Sequence, residues 1–83
     1  MVENSIFKFQ NNIMIEKSLK KLGQNIRNIR NDRKLSQEQL AELLGVSRNY
    51  IGMIERAEVN VPSRTLIELA KVLNVHPKTF FDF

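Results

Sequence analysis

The segment "GVSRNYIGMIERAE", residues 45–58, has an unusual composition for a helix at a protein surface. Ile51 and Ile54 form only a narrow apolar stripe, and Gly52 interrupts the helix at a cost of about 1 kcal/mol relative to alanine. An ordinary surface helix would carry glutamate, lysine or alanine at the remaining positions. This face is therefore the best candidate for binding chemistry in the chain. Its members are Arg48, Asn49, Tyr50 and Met53.

The sequence does not contain the residue sets that catalysis or metal binding would need. It has one histidine, His76, and no cysteine, so a zinc site or a nucleophile–histidine pair cannot be assembled. His76 precedes Pro77, at a position where a helix N-cap is expected. Glu38 and Glu42 lie one helical turn apart, which is the usual spacing of solvated acids on a helix. We therefore predict that the protein is not an enzyme and holds neither a cofactor nor a metal.

Capping signals place the polar face on the second of two short helices. Ser36 opens a capping box for the first of them, and Gly45 is expected to end that helix in a left-handed conformation. Ser47 is a second N-cap, so the next helix is predicted over residues 47–57. A connection this short forces a sharp crossing, which indicates a helix-turn-helix motif over residues 37–56. The small Ala41 at the crossing and the apolar residues Leu40, Leu44, Val46, Ile51 and Ile54 fit this interpretation.

Three further helices complete a predicted all-α fold. Apolar residues at alternating spacings of four and three predict a first helix over residues 16–33. A fourth helix is predicted over residues 63–73, with Asn74 as its left-handed terminator, and Pro77 opens a short fifth helix. Residues 15–83 are thus expected to form one compact five-helix domain.

Residues 1–14 have a different pattern and are predicted to be a separate segment. Phe7 and Phe9 alternate with polar residues before a pair of asparagines, and Ile13 and Ile15 alternate after it. Such alternation is typical of a small hairpin. An isolated hairpin is marginal in water, so an arm docked loosely on the domain is the other interpretation.

The composition indicates one small soluble domain with a moderately basic surface. The chain has 83 residues, of which 42% are hydrophobic, and 13 basic and 9 acidic residues give a net charge of +4. No apolar run approaches the roughly 18 residues of a membrane span. The absence of cysteine fits a reducing compartment, so we expect a cytoplasmic protein. The charge permits a polyanionic partner without requiring one.

The stretch "LSQEQLAELLGVSRNYIGMIERAEVNVPSRTLIELAKVLNV", residues 35–75, resembles the phage-repressor-like helix-turn-helix family, also described as xenobiotic-response-element or lambda-repressor-like. The resemblance extends over residues 22–83. Within it, "SRNYIGMIERAEVN" is similar to the small controller proteins that regulate restriction–modification operons. Small phage regulators and antitoxins share much of the same pattern.

The resemblance implies that the third helix docks in the major groove of DNA, whose width of about 12 Å admits an α-helix. Arg48, Asn49 and Met53 match the family's base-reading positions. An arginine fork pairs with guanine, an asparagine amide pairs with adenine, and a methionine side chain can contact a thymine methyl group. Gly52 then has two interpretations: it lets the backbone approach DNA closely, or it is a tolerated surface glycine.

The resemblance also separates phosphate contacts from structural pairs. Gln37 matches the family's phosphate-binding position at the start of the second helix. An arginine late in the first helix pairs with a glutamate late in the third, and these positions are Arg30 and Glu55 here. Arg33 and Lys34 are interpreted as solvated charges. The predicted contacts to the DNA backbone are Gln37, Ser47, Tyr50, Asn60, Ser63 and Arg64.

A single recognition helix reads about one half-site, which predicts a homodimer that reads two half-sites about 34–36 Å apart. The resemblance points to the fourth and last helices as the pairing surface. The three phenylalanines among the last four residues can also be explained as ordinary closure of the core. The predicted interface residues are Ile67, Phe80, Phe81 and Phe83.

These features predict a sequence-specific transcriptional regulator that binds double-stranded operator DNA as a homodimer. RNA polymerase is a further candidate partner, and no membrane association is expected. Because no effector domain is evident, occupancy would follow protein concentration, which suits autoregulation. The alternative is an antitoxin or other protein-interaction module with secondary DNA binding, which residues 1–14 and the aromatic C-terminus suggest.

Overall fold

Residues 2–83, with side chains from residue 10 onward, are the part of the chain that the structure describes. All of the regular secondary structure in this part of the computed structural model is helical. The predicted all-α class is confirmed. The last element is a 3₁₀ helix and not the fifth α-helix that the sequence predicts. The elements are α1 Val2–Asp32, α2 Gln37–Leu44, α3 Arg48–Glu55, α4 Ser63–Leu73 and the 3₁₀ helix Pro77–Phe81.

Capping interactions fix both ends of α2 and the start of α3. The Ser36 hydroxyl accepts a hydrogen bond from the backbone amide of Gln39 at 3.0 Å, and the Gln39 side-chain oxygen accepts one from the backbone amide of Ser36 at 2.8 Å. The predicted capping box is therefore confirmed. Gly45 ends α2 with a φ of 77°, a left-handed conformation that glycine adopts most readily. The Ser47 hydroxyl accepts the Tyr50 amide at 3.1 Å and so starts α3. The short connection between the two helices is therefore determined by local chemistry.

α1 begins at Val2 and not near residue 16, where the sequence predicts its start. The hairpin alternative for residues 1–14 is therefore wrong for the described backbone, while Met1 and the side chains up to residue 9 lie outside the described residues. This segment contains no glycine or proline, and extending an existing helix is much easier than nucleating a new structure. A separate role for the segment stays a prediction.

The described N-terminal half of α1 is exposed. Ile13, Met14 and Ile15 are 39%, 65% and 54% exposed, and the buried core begins only at Leu22. These three exposed residues are apolar, although α1 as a whole consists mainly of polar residues. Among the helices that the structure describes, none is both long enough and apolar enough to span a membrane.

One hydrophobic core joins all five elements. Leu40 of α2, Ile51 of α3 and Leu69 of α4 are almost completely shielded from solvent. They meet the apolar face of α1, which follows the predicted spacing of four and three residues. The core residues are Leu22, Ile26, Leu40, Ala41, Ile51, Ile54, Leu69, Ala70, Leu73 and Phe80.

Phe80 closes this core, and the prediction that it contacts a partner chain is therefore wrong. Its exposed fraction is 0%, whereas the neighbouring Phe81 is 50% exposed. The Asn25 amide of α1 donates to the carbonyl oxygens of Phe80 at 3.0 Å and Asp82 at 3.2 Å. These hydrogen bonds hold the C-terminal segment against α1 with the Phe80 ring inward.

The end of α4 is closed by Arg33, the residue that follows α1. Asn74 has a φ of 58°, which confirms it as the left-handed terminator. Arg33 is exposed, as predicted for a solvated charge, and it also donates from Nε to the Leu73 carbonyl at 2.8 Å and from Nη2 to the Asn74 carbonyl at 3.3 Å. A cation suits this position, since the C-terminus of a helix carries a partial negative charge.

Gly23 allows α1 to approach the end of α3 closely. A Cβ atom at this position would lie 2.6 Å from the Glu55 carbonyl oxygen and 2.8 Å from the Ile54 carbonyl oxygen. Both are backbone atoms, so the contact cannot be relieved by a side-chain movement. The absence of a side chain at Gly23 therefore sets the distance between α1 and α3.

We expect Gly23→Ala to lower the free energy of unfolding by about 1–2 kcal/mol. Overpacking costs about 1–3 kcal/mol, and a contact of 2.6 Å with a backbone oxygen belongs at the upper end of this range, above the roughly 1 kcal/mol that alanine gains in a helix interior. Thermal denaturation would then show a melting temperature lower by roughly 4–8 °C per kcal/mol. Gln24→Ala, at an exposed position of the same helix, is the control and should be neutral or stabilising. Equal stabilisation by both changes would contradict the close approach.

Candidate nucleic-acid interface

The predicted base-reading residues share the outward face of α3. Arg48 and Asn49 are exposed and Met53 is half-buried, and the Asn49 amide donates to the Met53 sulfur at 3.6 Å. Ile51 and Ile54, on the opposite face, are only 1% and 2% exposed. The helix thus uses its narrow apolar stripe for the core and leaves its first two turns free to contact a ligand.

A surface hollow between α2 and α3 brings several of these side chains together. Gln37, which is predicted to contact the DNA backbone, lines this hollow together with the predicted base-reading residues Arg48 and Asn49. Gly52 and a further cation, Arg56, complete its lining. Sequence reasoning missed Arg56, although the four-residue spacing of Arg48, Gly52 and Arg56 is a signal that they share a face. The lining residues are Gln37, Arg48, Asn49, Gly52 and Arg56.

Gly52 makes room for Arg56. Gly52 is buried, so the interpretation of a tolerated surface glycine is wrong. A Cβ atom at this position would lie 2.9 Å from the Nη1 atom of Arg56. The guanidinium group of Arg56 therefore lies directly over the glycine, where another side chain would displace it. Close approach of DNA to Gly52 itself stays a prediction.

Glu58 orients the Arg56 side chain from the other side. The Arg56 Nε and Nη2 atoms donate to the two carboxylate oxygens of Glu58 at 3.1 and 3.2 Å. The hydrogen bond to Glu58, together with its charge, raises the pKa of the Arg56 guanidinium. Both side chains remain about half exposed, so this two-point pair is accessible to solvent.

A buried ion pair connects α1 to α3 beneath this surface. The Arg30 Nε and Nη2 atoms donate to the Glu55 carboxylate at 2.6 and 3.0 Å, and the two side chains are 8% and 2% exposed. The Arg30 Nη1 atom donates to the Leu35 carbonyl at 2.8 Å and to the Asn31 side chain at 3.1 Å. The pairing of Arg30 with Glu55 that the resemblance implies is confirmed.

Gln37 belongs to the same network. Its side-chain amide donates to the Glu55 carboxylate at 3.0 Å, and the residue is half-buried. The first residue of α2 is thus fixed relative to the last residue of α3. Contact between Gln37 and a phosphate group stays a prediction.

The other residues predicted to contact the DNA backbone lie at the start of α3, in the loop after α3 and in the first turn of α4. The Ser47 hydroxyl is engaged as the N-cap of α3, and Tyr50 is half-buried against the core. Asn60 and Ser63 are exposed, and Arg64 pairs with Glu68 at 3.2 Å with its side chain 92% exposed. None of these positions contradicts a contact with phosphate, and none tests it.

The remaining predicted dimer residues are exposed. Ile67 is 57% exposed on α4, and Phe81 and Phe83 are 50% and 53% exposed near the C-terminus. The Lys21 ammonium group lies 5.9 Å from the centroid of the Phe83 ring, within the range of a cation–π contact. Ile67 on α4 and the phenylalanines Phe81 and Phe83 of the C-terminal segment are therefore accessible to another molecule.

The sequence and the fold are similar to those of known regulators. Residues 26–80 match the model of the helix-turn-helix family. Control protein C.SmaI of Serratia marcescens is 58% identical over 53 residues, which are 64% of this chain and 63% of that protein. Control protein C.BamHI of Bacillus amyloliquefaciens is 40% identical over 62 residues, which are 74% of this chain and 76% of that protein.

A solved structure has the same arrangement of helices. The crystal structure of the restriction-modification controller protein C.AhdI from Aeromonas hydrophila is 41% identical in sequence, with a TM-score of 0.73. The similarity covers 76% of this chain and 96% of that chain.

We expect Glu55→Gln to lower the free energy of unfolding by about 3–5 kcal/mol, because Arg30 would remain buried without its counter-charge. Urea denaturation at one fixed protein concentration would measure the change. Glu68→Gln removes the acid of the exposed pair with Arg64 and should change the stability by less than about 0.5 kcal/mol. If the two variants unfolded at the same urea concentration, the buried pair would not be what holds α3 in place.

Proposed function

The chain belongs to the helix-turn-helix family, and from this premise we propose that it is a sequence-specific DNA-binding regulator of transcription. The observation that carries the proposal is the outward face of α3, on which Arg48, Asn49 and Met53 are presented together. A helix of this kind fits the major groove, where each base pair offers a distinct pattern of donors and acceptors.

The chemistry of these side chains supports direct reading of bases. Arg48 can donate two parallel hydrogen bonds to guanine, and Asn49 can donate to and accept from adenine. Met53 offers an apolar surface to the methyl group of thymine. The Asn49 amide donates a weak hydrogen bond to the Met53 sulfur, so the two side chains lie in one patch on the surface.

A homodimer is the form in which we propose that the protein binds its operator. Two copies related by a two-fold axis would place their α3 helices in successive major grooves, about 34–36 Å apart. The exposed Ile67, Phe81 and Phe83 support a pairing surface formed by α4 and the C-terminal segment. An apolar contact across the axis would bury side chains that are costly to leave in water.

Similarity to two control proteins and to a restriction-modification controller supports a finer proposal, that the regulated genes are a restriction–modification operon. In this role the protein would bind upstream of its own gene and act on RNA polymerase at the neighbouring promoter. Selection of binding sites from random duplexes, followed by mapping of the recovered sites, tests this proposal. Recovery of no preferred sequence would contradict it.

A second function, protein interaction, is favoured by the exposed apolar residues Ile13, Met14 and Ile15 on α1. An antitoxin-like module would use such a helix to bind a small protein. Purification of the chain from its native host distinguishes the two functions. A stoichiometric second protein supports the module, and a homodimer without any other protein supports the regulator.

We expect Arg48→Ala to weaken operator binding by about 1–3 kcal/mol and to relax the preference at one base pair. Fluorescence anisotropy with the selected operator and its single-base variants would measure both effects. Lys78→Ala removes the same charge from the 3₁₀ helix, which packs against α1 and α4, and should leave the base preference unchanged. An equal loss on all sequences would instead make Arg48 a phosphate contact.

We expect Ile67→Asp to convert the homodimer into a monomer. The substitution would place two like charges in an apolar contact near the two-fold axis, where neither is solvated. Sedimentation velocity should then give about half the mass of the unsubstituted protein. Met14→Asp makes the same kind of change at an exposed position of α1 and should leave the dimer intact. A dimeric Ile67→Asp variant would exclude α4 from the interface.

A further inference from the structure

Arg56 and Glu58 form an accessible ion pair beside the base-reading residues, and nothing in the proposed function uses it. We propose that Arg56 binds a phosphate of the DNA backbone, and that Glu58 occupies the place of this phosphate in the free protein. The inference rests on the proposed DNA binding. It adds that the Arg56 guanidinium exchanges the Glu58 carboxylate for a phosphate group when DNA binds. The ligand is the phosphodiester group itself, independent of base sequence.

The geometry of the pair matches that of a phosphate complex. Arg56 meets both carboxylate oxygens of Glu58 through Nε and Nη2, at 3.1 and 3.2 Å. A phosphate group offers two oxygens to an arginine fork in the same arrangement. The Glu58 carboxylate therefore holds the guanidinium in a conformation that also suits a phosphate.

The position of Arg56 along α3 favours the backbone over the bases. Arg56 follows Arg48 by eight residues, which corresponds to about 12 Å along a helix axis. The major groove is also about 12 Å wide. With Arg48 at the base edges near the N-terminus of α3, Arg56 at its other end reaches the phosphates that border the groove.

Burial distinguishes this pair from the ion pair beneath it. The Arg56 and Glu58 side chains are 54% and 50% exposed, whereas those of Arg30 and Glu55 are 8% and 2% exposed. An exposed pair can separate with little desolvation, since water solvates the released carboxylate. A phosphate group can thus replace the Glu58 carboxylate on Arg56, whereas Glu55 has to remain paired with Arg30.

Gly52 keeps the Arg56 guanidinium in position for the exchange. The Arg56 Nη1 atom lies where a side chain at residue 52 would begin, with a separation of 2.9 Å from a Cβ atom. Alanine would leave the helix intact and more favourable, but would displace the guanidinium. Gly52→Ala is therefore a probe that acts on DNA binding through Arg56 without removing a charge.

The central experiment measures anisotropy of the full chain on its selected operator and on a scrambled duplex, over a range of salt concentrations. We expect Arg56→Gln to weaken binding to both duplexes by the same factor, on the order of tenfold. The slope of log K against log salt should fall by roughly 0.9 for each protomer bound. Lys78→Gln, with the same change of charge on the 3₁₀ helix, should leave the slope unchanged.

Two further variants test the exchange itself. Glu58→Gln removes the competing carboxylate and should tighten binding to both duplexes several-fold, because no anion has to be displaced. Gly52→Ala should weaken binding without lowering the melting temperature, and should have no further effect when combined with Arg56→Gln. This loss of effect in the double variant is the signature of coupling through Arg56.

The outcomes separate this inference from the proposed function. If the unsubstituted protein prefers its operator but Arg56→Gln binds both duplexes with unchanged affinity and slope, the inference fails and the proposed function stands. A loss confined to one base pair would make Arg56 a base contact, and weaker binding by Glu58→Gln would exclude the exchange. Absence of any operator preference in the unsubstituted protein would instead contradict the proposed function.

Discussion

The buried pair of Arg30 and Glu55 is the constraint on which the interface depends. Two charges removed from water are costly unless each is fully hydrogen-bonded, and here all three guanidinium nitrogens donate at 2.6–3.1 Å. Their acceptors belong to α1, to the segment that leads into α2, and to α3. Gln37 adds the first turn of α2 through the same carboxylate. A buried polar group that loses its partner is costly, so all of these hydrogen bonds have to form together. They can do so in only one relative position of α1, α2 and α3. The orientation of the recognition helix follows from this position.

The consequence for α3 is a division of roles between successive residues. Glu55 points inward to Arg30 and Arg56 points outward over Gly52, so adjacent positions serve the scaffold and the surface. Two glycines make the arrangement sterically possible in different ways. Gly23 lets the backbone carbonyls at the end of α3 approach α1, because a side chain at residue 23 would collide with the carbonyl oxygens of Ile54 and Glu55. Gly52 gives space to a flexible side chain. The same small residue thus serves helix packing in one place and side-chain placement in the other.

Local chemistry explains why much of the fold could be predicted from the sequence. The capping box at Ser36 and the left-handed Gly45 depend on neighbouring residues alone, and so does the left-handed Asn74 that ends α4. The predicted start of α1 near residue 16 is wrong, because the apolar pattern changes at residue 15 although the backbone is helical from Val2 onward. Phe80 and Phe81 are adjacent and identical in type, so only the packing of the 3₁₀ helix decides which one is buried. The role of Gly52 depends on the conformation of Arg56, which no sequence pattern specifies.

The distribution of acids explains how a chain with a net charge of only +4 can face a polyanion. Three glutamates on α3, α4 and the loop between them are each paired with an arginine, which limits their repulsion of phosphate groups. The pairs differ in burial, from 8% and 2% for Arg30 and Glu55 to 92% and 49% for Arg64 and Glu68. A buried pair resists separation, whereas an exposed pair holds its arginine only loosely. Arginines of exposed pairs can accordingly be shared with an incoming phosphate, while the buried pair maintains the shape of the surface that they line.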